Sequence, residues 1–215
     1  MTKFSFKRNF FSYHKVQLGI SFIIRNSTLL QNINKLEQKK YLDIGCGTRM
    51  HDKFINLDYK WVPGLDICWD ITKGSLPFPN NRFEGIFSEH CLEHIKLEET
   101  KQLCKDILRI LKPNGIFRII VPDGELYFDL YQKIKKNKSI KMPYYDGYTP
   151  ISRINDIFRH FGHLFIYDFD TIQKLLSESG FKNIEKKKYL ESLNTDLLLD
   201  SEERVIESLY VEAQK

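Results

Sequence analysis

A chain of 215 residues, 42% of them hydrophobic, is long enough to bury one substantial core, so we expect a single globular domain with peripheral additions. Its 33 basic and 28 acidic residues leave a net charge of +5, a bias weaker than that of dedicated nucleic-acid binders. The longest apolar run, residues 18–24, is far shorter than the roughly 20 residues of a membrane span, and we expect no cleavable signal sequence.

The four cysteines stand at positions 46, 68, 91 and 104, too far apart for any CxxC pair. They lie inside apolar stretches or motifs rather than in loops. This pattern favours reduced thiols over a disulfide framework or a zinc site, and it predicts a cytoplasmic protein.

The N-terminal segment, residues 1–38, mixes aromatic and basic side chains without a helical or strand period. We interpret it as a partly helical cap that covers one edge of a ligand cleft, ahead of a main domain at residues 39–215. Interleaved basic and aromatic residues are also typical of interfacial helices, so weak peripheral membrane contact through this segment is the alternative.

The main domain begins with a short apolar strand that ends in two glycines, Gly45 and Gly47. Leu42 and Ile44 alternate with Asp43 as in a buried strand, and glycines at this point allow a tight turn beside a ligand. Only residues 48–53 separate the turn from the next apolar run, whereas a crossover helix needs about ten or more residues. The first crossover helix is therefore predicted to be shortened or absent.

Strands and helices then alternate along the chain. Short strands are predicted at residues 54–58, 65–70 and 86–88, a helix at 97–111, a strand at 116–121 and a short amphipathic helix at 127–134. Asp170 and Gln173 form a plausible capping box before a helix that Gly180 closes, and two last strands fit residues 183–189 and 206–211. The alternation predicts a mostly parallel α/β sheet.

A basic tract at residues 133–141 leads into an aromatic stretch at 143–148. We interpret residues 133–160 as an inserted surface loop. The alternative is an electrostatic patch for an anionic substrate, a membrane or nucleic acid.

Several motifs, in order, resemble those of class I S-adenosylmethionine-dependent methyltransferases, in particular small bacterial enzymes associated with surface-glycan gene clusters. The resemblance covers residues 41 to about 188 and rests on LDIGCG at 42–47, the acid at 58, DI at 70–71, LPF at 76–78, EHCLEH at 89–94, LRILKPNG at 108–115 and FGH at 161–163. It implies a Rossmann-like three-layer sandwich with a seven-stranded, mostly parallel sheet and an antiparallel last strand. It also implies an enzyme that uses S-adenosylmethionine.

The expected cofactor site lies at the carboxyl ends of the strands, where open α/β sheets bind ligands. Backbone at the glycine turn would approach the amino-acid end of the cofactor, Asp58 would accept from the ribose hydroxyls, and Asp70 from the adenine amino group beside Ile71. The predicted cofactor-binding residues are Asp43, Gly45, Cys46, Gly47, Asp58, Asp70, Ile71 and Ser88. Arg49 stands where many members of the family carry a third glycine.

The predicted catalytic residues are His90, Glu93, His94 and His163, because methyl transfer to a hydroxyl benefits from a general base. A structural role is the alternative for each. The order H-x-x-E-H at residues 90–94 occurs in some zinc peptidases, but we reject that interpretation because the motif follows a cofactor-binding strand. We predict no metal, although His90, Glu93 and His94 could hold a divalent ion, as acids and a histidine do in some quinone-pathway methyltransferases.

We expect O-methylation of a small molecule or a glycan-type acceptor, the glycan being implied by the resemblance alone. One alternative is a nucleic-acid methyltransferase, but residues 88–91, after the fourth strand, lack the Asp/Asn-Pro-Pro-aromatic motif of amino-methylating DNA enzymes. The other alternative is a non-catalytic partner subunit that binds S-adenosylmethionine. A nicotinamide-dependent oxidoreductase is disfavoured, because Met50 replaces the third glycine of its motif and Asp58 follows too soon. The sequence leaves the oligomeric state open.

Overall fold

The computed structural model describes residues 7–27, 36–137, 149–159 and 161–215, with backbone alone for residues 7–15. It contains a seven-stranded sheet whose strand order is β3-β2-β1-β4-β5-β7-β6. The strands are β1 (Tyr41–Ile44), β2 (Phe54–Asp58), β3 (Ile67–Cys68), β4 (Phe83–Glu89), β5 (Leu111–Pro122), β6 (Lys182–Lys187) and β7 (Ser208–Gln214). The first five strands pair in parallel, and β7 runs antiparallel to both of its neighbours. The predicted Rossmann-like α/β fold with an antiparallel last strand is confirmed.

The connection from β1 to β2 is the unusual part of the sheet. Between Ile44 and Phe54, a stretch that the structure describes in full, the chain forms turns rather than a helix. The prediction of a missing first crossover helix is therefore confirmed. As a consequence, the glycine turn is not followed by the helix N-terminus that commonly supports such a turn.

One face of the sheet is covered by helices α2 (Leu97–Ile110) and α5 (Phe169–Ser179). Of the apolar residues that predicted α2, Leu103, Cys104 and Ile107 are buried in the main core, and Leu108 is partly buried against it. The N-cap of helix α5 lies two residues earlier than predicted. Asp168, rather than Asp170, is the N-cap, and its carboxylate accepts a hydrogen bond from Thr171 N at 2.9 Å. Gly180 ends α5 as predicted.

The opposite face of β4 and β5 is covered by the chain between β6 and β7. Leu197 is fully buried there, in a second core cluster with Phe87 and Tyr210. A single 3-10 turn, Thr195–Leu197, is packed against β4. The last strands β6 and β7 confirm the two predicted closing strands, although β7 extends three residues beyond the predicted end.

Helix α1 (Lys7–Arg25) packs beside the edge strand β3. Ser21 Oγ accepts a hydrogen bond from Trp61 N at 2.8 Å, and Gln17 Nε2 donates to Trp61 O at 3.1 Å. The guanidinium of Arg25 lies 3.9 Å from the ring centre of Tyr59. The helix thus supports the segment that follows β2, and no helix among the described residues is long and apolar enough to cross a membrane.

Two helices occupy part of the predicted inserted loop. Helix α3 (Gly124–Lys136) carries the start of the basic tract in its last turn, and α4 (Pro150–Arg159) follows. Ile154 and Ile157 of α4 are buried against Tyr127 and Ile134 of α3. The amphipathic helix predicted at 127–134 is confirmed within α3, whereas the loop prediction is wrong for 135–136 and 150–159. The aromatic stretch at 143–148 lies outside the described residues.

Candidate functional site

A cleft of about 820 Å³ opens at the carboxyl ends of β1, β2 and β4. Nine of the twelve predicted site residues line it: Asp43, Gly45, Cys46, Gly47, Asp58, Asp70, Ile71, His90 and His94. The remaining three lie behind its wall. Ser88 is buried, and its hydroxyl donates to Ile44 O at 3.1 Å, so it joins β4 to β1 instead of facing a ligand.

The glycine turn is held by β2. Gly45 N and Cys46 N both donate to Leu57 O, at 2.8 and 3.2 Å. Gly45 and Gly47 have φ values of +79° and +58°, which L side chains rarely adopt. A Cβ on Gly45 would lie 2.5 Å from the Sγ of Cys91, whereas a Cβ on Gly47 would have no atom within 4 Å. Cys91 therefore packs behind the turn, and the backbone at Gly47 is open to a ligand.

Asp58 at the end of β2 also supports this turn. Its Oδ2 accepts from Gly47 N at 2.9 Å, and its Oδ1 accepts from Lys60 N at 2.8 Å. Each oxygen keeps a second lone pair. The carboxylate therefore supports the turn and still has acceptor capacity for a ligand in the cleft.

Asp43 is a nearly buried carboxyl group, 3% exposed, in the wall of the cleft. Burial raises its pKa to about 8, with a further contribution from the Glu89 carboxylate that the Arg49 guanidinium opposes. Without a cation beside it, this group is mostly protonated at neutral pH. A positively charged ligand group beside it would favour its ionised form.

Asp70 and Ile71 form the far end of the cleft, where a turn follows β3. Asp70 Oδ1 accepts from the backbone N and the Oγ1 of Thr72, at 3.1 and 2.7 Å. Burial opposes ionisation of Asp70, but these hydrogen bonds and Lys73 outweigh it and lower its pKa. The carboxylate is thus fixed by its own turn.

His90 follows β4 with a φ of +48°, an uncommon value for a residue with a side chain. Its Nε2 lies 2.9 Å from Ser208 Oγ, and its Nδ1 lies 3.4 Å from Glu93 Oε1. Burial lowers its pKa to about 3, with smaller contributions from Arg204 and the other histidines. His90 is therefore a neutral and weakly basic ring.

Glu93 is fully buried behind His90 and His94. Neither of its carboxylate oxygens has a hydrogen-bond partner among the described residues. Burial raises its pKa to about 8. An unpartnered buried carboxyl group is costly, which makes this position an unusual one.

His94 and His163 meet edge to face, with ring centres 4.9 Å apart. Burial lowers the pKa of both rings. His163 Nδ1 lies 2.6 Å from Ile157 O, and the His94 ring is hydrogen-bonded to the Gly162 backbone. The structure thus brings together all four predicted catalytic residues, although Glu93 and His163 do not line the cleft.

Sequence reasoning missed residues 199–204, three of which line the cleft. Arg49 NH1 forms an ion pair with Glu89 Oε2 at 3.0 Å, and its NH2 donates to Leu199 O at 3.2 Å. Glu89 Oε1 accepts from Ser201 N at 2.9 Å, and Arg204 lines the cleft. The position of Glu89 at the end of β4 is the one signal that pointed to this arrangement.

Comparison with known proteins identifies the family. A family model described as a methyltransferase domain matches residues 21–186, which is most of the chain. The chain belongs to the methyltransferase family. Solved structures agree on the fold: a SAM-dependent methyltransferase from Archaeoglobus fulgidus matches with a TM-score of 0.54 and 15% identity, over 96% of this chain and 100% of the other.

Two relatives with assigned activities are similar to this methyltransferase in sequence. The demethylmenaquinone methyltransferase of Tropheryma whipplei is 24% identical over 178 residues, covering 70% of this chain and 69% of the relative. The phosphoethanolamine N-methyltransferase of Plasmodium falciparum is 25% identical over 146 residues, covering 57% of this chain and 55% of the relative. This methyltransferase is thus a class I enzyme, and its cofactor is S-adenosylmethionine.

The cleft fits that cofactor. S-adenosylmethionine carries an α-ammonium and a sulfonium, and the buried Asp43 carboxyl group in the cleft wall could pair with one of these cations when ionised. Gly47 offers backbone that a ligand can approach without a side chain in the way. Asp58 keeps acceptor capacity for ribose hydroxyls.

Proposed function

We propose that this methyltransferase methylates an oxygen of a small molecule or of a glycan-type acceptor, with His94 as the general base. The observation that carries the proposal is the His94 ring, which lines the same cleft as the glycine turn. Burial favours its neutral form, and its hydrogen bond to the Gly162 backbone commits one ring nitrogen. The other ring nitrogen then carries a lone pair that can accept the proton of a hydroxyl group.

His94 is better suited to this role than His90. A general base works best when its pKa lies near the working pH, and the pKa of His90, at about 3, is too low. His90 Nε2 is also engaged by Ser208 Oγ. We assign His90 to positioning rather than proton transfer.

The remaining residues hold the cofactor. When bound, S-adenosylmethionine supplies a methyl group on a sulfonium, which an oxygen nucleophile displaces in line. Asp43 would pair with the α-ammonium, Asp58 would accept from the ribose hydroxyls, and Asp70 and Ile71 would face the adenine. Positioning of this kind supplies much of the acceleration in a two-substrate reaction.

Two observations support the acceptor class. Both relatives are named for small molecules, demethylmenaquinone and phosphoethanolamine. The glycan-type acceptor rests on the sequence resemblance. We keep the cytoplasm as the expected location, because the four cysteines, all within the described residues, form no disulfide with one another.

The test measures S-adenosylmethionine binding by calorimetry and methyl transfer from radiolabelled cofactor to a panel of nucleotide sugars, quinols, amines and oligonucleotides. Asp58→Ala should weaken cofactor binding. His94→Asn should leave cofactor binding intact and lower kcat by about 100-fold or more, the usual contribution of a general base.

Each contrary result points to a particular error. Unchanged cofactor affinity of Asp58→Ala would refute the ribose assignment. Labelling of amines or oligonucleotides in preference to hydroxyl compounds would replace the O-methyltransferase assignment. Cofactor binding without transfer to any class of acceptor would favour the non-catalytic partner subunit.

A further inference from the structure

Three potential metal ligands converge beside the cleft. Glu93, His94 and His163 each offer one ligand atom, and these atoms lie within 4.8 Å of one another. Glu93 and His94 belong to the short 3-10 turn after β4, whereas His163 follows α4. Two segments that are far apart in sequence therefore supply the cluster.

Hydrogen bonds to backbone orient His94 and His163, so that one ring nitrogen of each is left free to bind a metal. Ile157 O can only accept, so the 2.6 Å contact assigns the proton of His163 to Nδ1 and leaves Nε2 as a lone pair. That Nε2 lies 4.0 Å from Glu93 Oε1. The His94 ring is likewise bonded to backbone, at Gly162. A backbone carbonyl that accepts the second N–H is the usual support of a metal-bound histidine.

The buried carboxylate of Glu93 is independent support for a bound cation. It is fully buried, and neither oxygen receives a hydrogen bond from any described residue. An ionised carboxylate is very costly in such a place unless it is paired or coordinates a metal. Glu93 Oε1 and His163 Nε2 thus face each other at 4.0 Å without a hydrogen bond between them, which is an arrangement that a bound cation would complete.

We propose that Glu93, His94 and His163 form a binding site for a divalent transition-metal ion, with Zn²⁺ as the best fit. Two imidazoles and one carboxylate suit Zn²⁺ in a site that keeps its fourth position open, whereas Mg²⁺ and Ca²⁺ prefer oxygen ligands. His94 lines the cleft, so the open position faces the acceptor side. His90 stands outside the set, because its Nε2 is directed to Ser208 Oγ.

The consequence for catalysis rests on the proposed O-methyltransferase function, but metal binding itself does not. With the ion bound, His94 is a ligand rather than a base. The acceptor hydroxyl would bind at the open position and lose its proton to water, because a metal-bound oxygen is more acidic than a free one. The acceptor oxygen would then form its bond to the methyl carbon as the carbon–sulfur bond breaks.

The experiment titrates the metal-free full-length protein with Zn²⁺ by calorimetry and with Co²⁺ by visible absorption. We expect one ion per chain and the d–d bands of four- or five-coordinate Co²⁺. Glu93→Gln and His163→Asn should each weaken Zn²⁺ binding by more than about 100-fold, since loss of a supporting residue alone costs 10- to 100-fold. His163→Asn keeps a donor for Ile157 O and removes the ligand atom.

His51→Gln is the matched control, because His51 lines the same cleft and is not part of the cluster. Its Zn²⁺ affinity should equal that of the wild type. Equal Zn²⁺ affinity in Glu93→Gln, in His163→Asn and in the wild type would overturn the proposal. The proposal would also be overturned if the wild type bound no Zn²⁺. Intense thiolate-to-cobalt absorption would overturn it too, because it would place the ion on Cys46 or Cys91.

Thermal unfolding of each variant checks that it is folded. If Glu93→Gln does not fold, His163→Asn alone tests the site. Methyl transfer by the metal-free protein is measured on the same preparation. Transfer without any metal binding would refute the metal site and leave the proposed function standing. Metal binding without transfer to any acceptor would refute the proposed function and leave the site standing.

Discussion

The proposed pairing of Asp43 with the α-ammonium of S-adenosylmethionine should make cofactor binding depend on pH. The Asp43 carboxyl group is buried, with Glu89 and Asp58 as acidic neighbours and Arg49 as the basic one, and its pKa is raised to about 8. The group must lose a proton before it can pair with the α-ammonium of S-adenosylmethionine. Because the free form is protonated below pH 8 and the bound form is ionised, affinity is lost as the pH falls.

We expect the association constant for S-adenosylmethionine to rise about tenfold per pH unit between pH 5 and 7, where each proton released contributes one decade. The α-ammonium stays charged in this range because its pKa lies near 8. Calorimetry in buffers of different ionisation enthalpy measures both the slope and the protons released.

Asp43→Asn is the control, since it keeps the shape of the side chain and removes the titration. Its affinity should be lower at pH 7 and nearly independent of pH. A slope in the variant as steep as that of the wild type would assign the proton to another group, such as His51 or His94.

At this scale, sequence reasoning found the residues whose chemistry is local. Asp43 and Asp58 lie near or at the carboxyl ends of predicted strands, and Gly45 and Gly47 follow the first of these strands, so the strand-end rule placed them in the cleft. The ion pair of Arg49 and Glu89 could not be found in this way. It depends on Leu199 and Ser201, which lie more than 100 residues further along the chain.

The turn between β1 and β2 depends on packing rather than on a helix. Two backbone hydrogen bonds to Leu57 O and the side chain of Cys91 behind Gly45 define its shape. Gly45→Ala should therefore lower the free energy of unfolding by about 1–2 kcal/mol for the left-handed backbone and by a further 1–3 kcal/mol or so for overpacking against Cys91. Chemical denaturation measures both, and cofactor affinity should fall in parallel.

Cys91→Gly separates the two contributions. The Cβ of Cys91 itself lies 2.6 Å from the added methyl group, so only glycine at position 91 removes the contact. Gly45→Ala combined with Cys91→Gly, measured against Cys91→Gly alone, should retain the backbone strain and lose the overpacking. If the cost of Gly45→Ala is the same in both backgrounds, Cys91 does not support the turn.

Helices whose apolar residues recur at a regular spacing were predicted from the sequence. Helices that depend on packing against other parts of the chain were not. Helix α2 was found because its apolar residues recur at helical spacing over four turns. Helix α4 has only ten residues and buries Ile154 and Ile157 against α3, a surface that the sequence alone does not reveal. The cap of α5 was misplaced because Asp168 and Asp170 both precede its apolar residues, and only the hydrogen bond to Thr171 distinguishes them.

Across the whole molecule, Arg118 connects the sheet to residues 199–204 beside the cleft. It lies on β5, fully buried, with its Nε 2.8 Å from Asp200 Oδ1 and its NH1 2.9 Å from Glu212 Oε1. Its NH1 also donates to Glu191 O at 2.8 Å. Asp200 adjoins Ser201, which donates to Glu89 at the cleft. One guanidinium therefore holds β5, β7 and residues 191–200 in register with the site.

Arg118→Met should lower the free energy of unfolding at pH 7 by about 3–5 kcal/mol, because two buried carboxylates lose their cation. Adding Asp200→Asn and Glu212→Gln to Arg118→Met removes the charges and should recover part of the stability at pH 7, as denaturant titration would measure. If this triple variant is no more stable than Arg118→Met, lost packing rather than unpaired charge explains the effect. The affinity for S-adenosylmethionine should fall in Arg118→Met and recover in part in the triple variant, since the Arg118 network holds residues 199–204 at the cleft.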